Sequence, residues 1–148
     1  MLSQPTTDQV IRGIVHDLKA IIEPELHSEP AKVALAMITQ ILTGCAVRAA
    51  HELAWINEES AAIEQAVGGI DDAETQAALA DYRAADPTVH LDGAVIRYGH
   101  ASRALSAAVE AAYRAHDQEQ AARLRALLAV RSANEMAIMG QLELVGRG

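Results

Sequence analysis

The chain contains no phenylalanine, and aromatic residues make up 3% of it. A core of large rings is therefore excluded, and packing must rest on aliphatic side chains. Cys45 is the single cysteine, so no intramolecular disulfide can form. At an apolar helical position such a thiol is expected as a small core residue. No Lys/Arg run occurs, and the net charge is −8, with 20 acidic and 12 basic residues. That balance speaks against a nucleic-acid or anionic-membrane partner. No apolar run approaches bilayer-spanning length by inspection. The opening Met1-Leu2-Ser3-Gln4-Pro5 has neither the basic nor the apolar segment of a signal peptide. The expectation is a soluble, cytoplasmic protein with no membrane and no nucleic-acid partner.

What is present is alanine, about a fifth of the chain, and it is the best helix former. Apolar residues reach 51% over 148 residues, enough for one domain, 1–148, with one core. Thr6 with Gln9 reads as a capping box before Val10, Ile14, Leu18, Ile21 and Ile22 at helical spacing, with Pro24 at the end. Ser28 and Pro30 open a second helix that runs from Ala31 to Val67, where Gly68-Gly69 stops it. At ~1.5 Å per residue it would span about 55 Å, which calls for a kink near Gly44 or cover from another subunit. Asp71 with Glu74 caps a third helix over 71–85. The fourth runs from Val89 to Ala115, weakened by Gly93 and Gly99, and Asp117 with Gln120 caps the fifth. The predicted fold is all-α: an antiparallel four-helix bundle of two similar hairpins, 6–67 and 88–145, joined by a connecting helix.

The hairpins are proposed as related because Ala46–Ile56 aligns without gaps on Ala129–Met139, with six of eleven positions identical. Three of those identities are alanine; Arg48/Arg131 and Glu52/Glu135 are more informative. Fainter echoes join Val10-Ile11-Arg12 to Val95-Ile96-Arg97 and Pro5-Thr6 to Pro87-Thr88. The apolar stripe of the second helix reads Ile38, Ile41, Cys45, Arg48, Glu52, Ile56. That of the fifth reads Leu124, Leu128, Arg131, Glu135, Ile138, Leu142. Both charged pairs thus fall on the face expected to meet the core, where an unpaired charge is costly. Antiparallel packing would set Arg48 against Glu135 and Arg131 against Glu52.

Two readings of this quartet follow. In the first it is a buried salt-bridge network that fixes register, and the protein is a non-catalytic helical assembly, a homodimer or an enzyme's accessory partner. Ile63 and Val67, near the end of the long helix, would lie against water in a monomer and be covered in the dimer. In the second the quartet is the polar floor of a small-molecule or catalytic pocket, with His51 as its asymmetric member, Asn134 in the matching place and Trp55 as lining. No cofactor and no metal is expected. The Glu-x-x-His motif of di-iron bundles is absent, and adjacent His51 and Glu52 diverge by about 100° on a helix. Glu58, Glu59 and Glu64 read as a solvated acidic face, although Glu59 could join Glu52 and Glu135. His100 with Arg97 and Arg103 is a candidate anion contact, set against a solvated helix face. His27 and His116 fall near helix boundaries. No phosphate loop, nucleophile elbow or Cys-x-x-Cys occurs.

The segment Pro5-Thr6-x-x-x-Val10-Ile11 through Ile22-x-Pro24-x-Leu26, followed by a long alanine-rich helix, resembles uncharacterised small helical proteins of actinobacteria. The resemblance covers the first third of the chain. It implies an all-helical fold and, from some such proteins, company with phosphotransferase-like or acyl-CoA enzymes. It carries over no catalytic residue.

Overall fold

The structure, a computed structural model, describes residues 4–140. It is all-helical, with no strand among the described residues. Among the described residues there are five α-helices: α1 Thr7–Asp17, α2 Glu29–Val67, α3 Ala73–Ala84, α4 Leu91–Arg114 and α5 Gln118–Met139. Leu142 and the rest of the expected fifth-helix end lie outside the described residues. The chain divides into two compact units, 1–52 with 133–148, and 53–132; α2 and α5 each contribute to both.

In the first unit, the Gln9 side chain accepts the Thr6 N–H at 3.0 Å and so caps α1. Beyond Asp17 the coil widens into a π-helical turn, Leu18–Ile22, then tightens into a 3-10 turn, Glu23–Glu25. Pro24 explains the widening, since it has no N–H to give the carbonyl four residues back and its ring crowds it. No residue of α1 is buried. On α2 in this unit Leu35, Thr39, Gly44 and Ala46 are buried, while Ile38, Ile41 and Cys45 are exposed. The expected core stripe of this helix is therefore out of phase, and Cys45 is not a core residue. The helix is continuous through Gly44. A Cβ there would lie 2.7 Å from the Ile138 carbonyl oxygen, so glycine permits close backbone approach of α5. Beside it, Gln40 Nε2 donates to the Met139 carbonyl at 2.5 Å.

The second unit holds the apolar core. Ile63, Val67, Leu79, Tyr82, Leu105 and Leu124 close around a line of alanines, Ala101, Ala104, Ala108, Ala112 and Ala121. Ile63 and Val67 are 0% exposed, which corrects the expectation that they need a second subunit to cover them. They share a core cluster with residues of α3, α4 and α5, and α3 is more than a connector: Thr75, Leu79 and Tyr82 are buried. Its N-cap is Asp72, one residue after the expected Asp71, and accepts the Thr75 N–H at 3.0 Å. α3 runs antiparallel along α4, as the pairs Asp72–Arg114 at 2.9 Å and Asp81–Arg103 at 3.6 Å show. Glu64 of α2 accepts from Arg83 at 2.7 Å and ties α3 to α2.

A short turn joins α4 to α5. The Asp117 N–H reaches the Ala112 carbonyl at 3.0 Å and the His116 N–H reaches that of Tyr113 at 3.1 Å, a Schellman pattern. His116 occupies the left-handed position usually given to glycine, with φ 54°. Asp117 then caps α5 by accepting the Gln120 N–H at 2.9 Å, as the sequence suggested.

Candidate functional site

Neither arginine of the expected quartet takes the partner assigned from sequence. Arg48 pairs with Glu52 of its own helix at 2.5 Å, both in the first unit. Arg131 pairs with Glu59, through Nε to Oε1 at 2.7 Å, both in the second unit. Glu59 lies two turns beyond Glu52 on the same side of α2, so the sequence reading erred by one heptad. It is also buried rather than part of a solvated acidic face. Glu135 and His51 are exposed, while Trp55 and Asn134 are half-buried.

The polar centre that does form has four members on three helices. Glu59 comes from α2, Tyr98 and Ser102 from α4, and Arg131 from α5. Tyr98 donates its hydroxyl to Glu59 Oε2 at 2.9 Å, so both carboxylate oxygens are used. Arg131 Nη2 donates to Ser102 Oγ at 3.1 Å. Its guanidinium also lies 5.3 Å from the centre of the Tyr98 ring, within cation–π range. Burial raises the Tyr98 phenol above its ordinary value, and the neighbouring Glu59 carboxylate adds to the rise; Arg131 opposes it. Tyr98 was missed because it lies in the first half of α4, where Gly93 and Gly99 obscured the helical pattern.

The arrangement fixes a hydroxyl and a carboxylate within one hydrogen bond, but the guanidinium already neutralises the acid. Each carboxylate oxygen accepts one hydrogen bond, from Arg131 and from Tyr98. A second arginine of the same unit, Arg97, lies 4.0 Å over the Tyr82 ring, and its Nε is buried without a hydrogen-bond partner. Arg103 contacts His100 and also faces Asp81. Of the suggested anion-binding trio, Arg97 is thus stacked on Tyr82 and Arg103 faces a carboxylate.

Two shallow grooves open on the second unit. One, of about 380 Å³, is lined by Glu74, Asp81, Arg103 and Glu110 among alanines. The other, of about 220 Å³, is bordered by Leu105, Val109, Leu128, Glu110 and Arg131. Neither is lined by His51. Among the described residues, no group of three or more His, Cys, Asp or Glu converges as metal ligands would.

Exposed large hydrophobic residues occur in both units, among them Val89, Leu91, Val95 and Ile96 in the second. Val10, Ile14, Ile21 and Ile22 of α1 and the following turn are exposed, as are Val33, Met37, Ile38 and Ile41 of α2. By length and composition α2 is also apolar enough to cross a membrane, unlike the expectation from unbroken runs, because Thr39, Gln40 and Thr43 interrupt the run without charging it. Compared with family models, with curated proteins and with solved structures, the chain matches none.

Proposed function

We propose that this is a non-catalytic helical protein that assembles with a second copy of itself. The observation that carries the reading is the pair of uncovered aliphatic stripes on α1 and α2. Apolar surface left exposed along a helix marks an interaction face. The satisfied Glu59–Arg131–Tyr98 centre supports a structural role for the buried charges. The same reading takes the helices as an antiparallel four-helix bundle of two related hairpins. The Gln40–Met139 and Gly44–Ile138 approaches support opposed courses for α2 and α5, and the match of Ala46–Ile56 to Ala129–Met139 supports the relation.

Sedimentation equilibrium across the micromolar range tests it. A mass that rises from monomer to dimer with concentration is expected. A monomer at every concentration would remove the proposal.

A further inference from the structure

The smaller groove of the second unit is bordered by one base and one acid, and the fold leaves hydrogen-bonding capacity free on both. We propose that this groove binds a free aliphatic amino acid: its carboxylate on Arg131, its ammonium on Glu110 and its side chain on the apolar floor between them. The proposal does not depend on self-association, because every lining residue lies within 53–132.

α4 gives the groove Leu105, Ser106, Val109 and Glu110, and α5 gives it Leu128 and Arg131. Arg131 donates Nε to Glu59 and Nη2 to Ser102. Its Nη1 has no hydrogen bond among the described residues and is not sealed from solvent, unlike Nε of Arg97. A guanidinium carries five N–H donors in a planar fork, so both N–H groups of Nη1 remain for an acceptor entering from the groove. Glu110 is exposed and has no ion pair among the described residues. It also borders the larger groove, beside Glu74, Asp81 and Arg103, where acids outnumber bases. That side of α4 favours an ammonium and disfavours a lone carboxylate.

The spacing selects a compact zwitterion. Glu110 lies eight residues beyond Ser102, the residue Arg131 touches, hence ~12 Å along α4. Its side chain leans back toward the start of the helix, over Ser106, and shortens the gap. What is left suits two charged groups on one carbon, each held by a hydrogen bond of about 2.8 Å. Leu105 is buried and Val109 and Leu128 are half-buried, which gives the ligand's side chain an apolar floor. The groove's volume of about 220 Å³ equals that of roughly seven waters and falls below the ~300 Å³ at which drug-sized pockets begin. An aliphatic amino acid such as leucine has this size. A fatty acid would reach Arg131 but bring a bare carboxylate toward Glu59 and Glu110, and a simple amine would leave Nη1 unused.

Titration of the isotopically labelled full chain with L-leucine, followed by NMR, tests the site. Saturable shifts, with a dissociation constant on the order of 1 mM for so small a ligand, are expected at the amides of Leu105, Val109 and Leu128 and at the Arg131 Nε–H. Isocaproate lacks the ammonium, isoamylamine lacks the carboxylate and glycine lacks the side chain; each should bind at least about threefold more weakly. Glu110→Gln, an exposed change checked by its melting temperature, should bring leucine and isocaproate to equal affinity. Shifts that do not saturate, or that fall outside the groove, would overturn the site. Either analogue binding the native chain as tightly as leucine, or a preference for leucine over isocaproate that survives Glu110→Gln, would overturn the two-charge assignment. Glycine as tight as leucine would overturn the role of the apolar floor.

Discussion

Removing Arg131 should strand a buried carboxylate. The Glu59 side chain is 8% exposed and that of Arg131 is 26% exposed. Breaking a buried pair by deleting one member typically costs about 3–5 kcal/mol. Here Tyr98 still donates to Glu59, and the partly exposed Arg131 side leaves a path for water. Arg131→Ala is therefore expected to cost about 2–4 kcal/mol, lowering the melting temperature by roughly 4–16 °C in a chain of this size. Arg131→Met with Glu59→Leu should recover most of that loss, because no charge remains unpaired. The Tyr98 hydroxyl and Ser102 then lose partners, so adding Tyr98→Phe should restore a little more.

The internal control is Arg48–Glu52, the same residue types four apart on one helix, with Arg48 exposed and Glu52 half-buried. Arg48→Ala should change stability by no more than about 0.5 kcal/mol, since exposed pairs contribute little and Arg before Glu is the weaker order. Urea unfolding followed by circular dichroism, at one fixed protein concentration, gives all these values. If Arg131→Ala cost no more than Arg48→Ala, the two charges would not share a buried site. The structural reading of the polar centre would then fail.

Three further perturbations follow from local geometry. Gly44→Ala gains about 1 kcal/mol of helix propensity but drives a methyl to 2.7 Å from the Ile138 carbonyl, and overpacking of that kind costs about 1–3 kcal/mol, so the variant should be less stable by urea midpoint and lose amide protection around Gly44 first. His116→Gly should stabilise by about 0.5–1 kcal/mol, because the left-handed position at φ 54° penalises a Cβ; an unchanged or lower melting temperature would contradict the turn. The Tyr98 phenol titrates above its ordinary 10.0 in the folded chain, so its contribution is fully present below pH 10 and lost as pH rises through the folded value; Tyr98→Phe should flatten the fall of unfolding free energy above pH 10.

The helical class, the stop at Gly68 and the caps at Thr6 and Asp117 were legible because each depends on a few adjacent residues. So was the need of Arg131 for a buried partner, because its stripe on α5 carries the large residues Leu124 and Leu128. The phase of α2 was not legible, and the reason is physical. This helix is apolar nearly all round, so the largest side chains do not mark the inner face. Leu35, Thr39, Ala46, Ser60, Ile63 and Val67 are buried, while Met37, Ile38 and Ile41 are exposed. The usable signal was spacing rather than size: 35, 39, 42, 46 and then 53, 56, 60, 63, 67 alternate by four and three, as a helix seam does. Read that way, Ser60 sits on the seam with Glu59 beside it, and Arg131 would have been offered a nearer carboxylate than Glu52.

That inversion of size and burial bears on what holds the first unit together. Burial of a large aliphatic side chain stabilises by about 1.5–3 kcal/mol, yet among its described residues the first unit fully buries one, Leu35, and leaves ten exposed. Thr39, Gly44 and Ala46 are the other residues fully buried there and add little transfer energy, while Ile11, Val15, Leu18, Leu42 and Val47 are half-buried. The second unit, with Ile63, Leu79, Leu105 and Leu124 fully inside, has a core of its own. A second copy seated on α2 would supply the first unit with the burial it lacks, and stability gained by association scales with concentration. The urea midpoint should therefore rise with protein concentration, by about 1.4 kcal/mol of unfolding free energy per dimer for each tenfold increase. Hydrogen exchange should show the dependence in residues 7–52 and not around Leu79 and Leu105. Protection equal in both regions, or unaffected by dilution, would mean that the exposed stripes contribute nothing to folding.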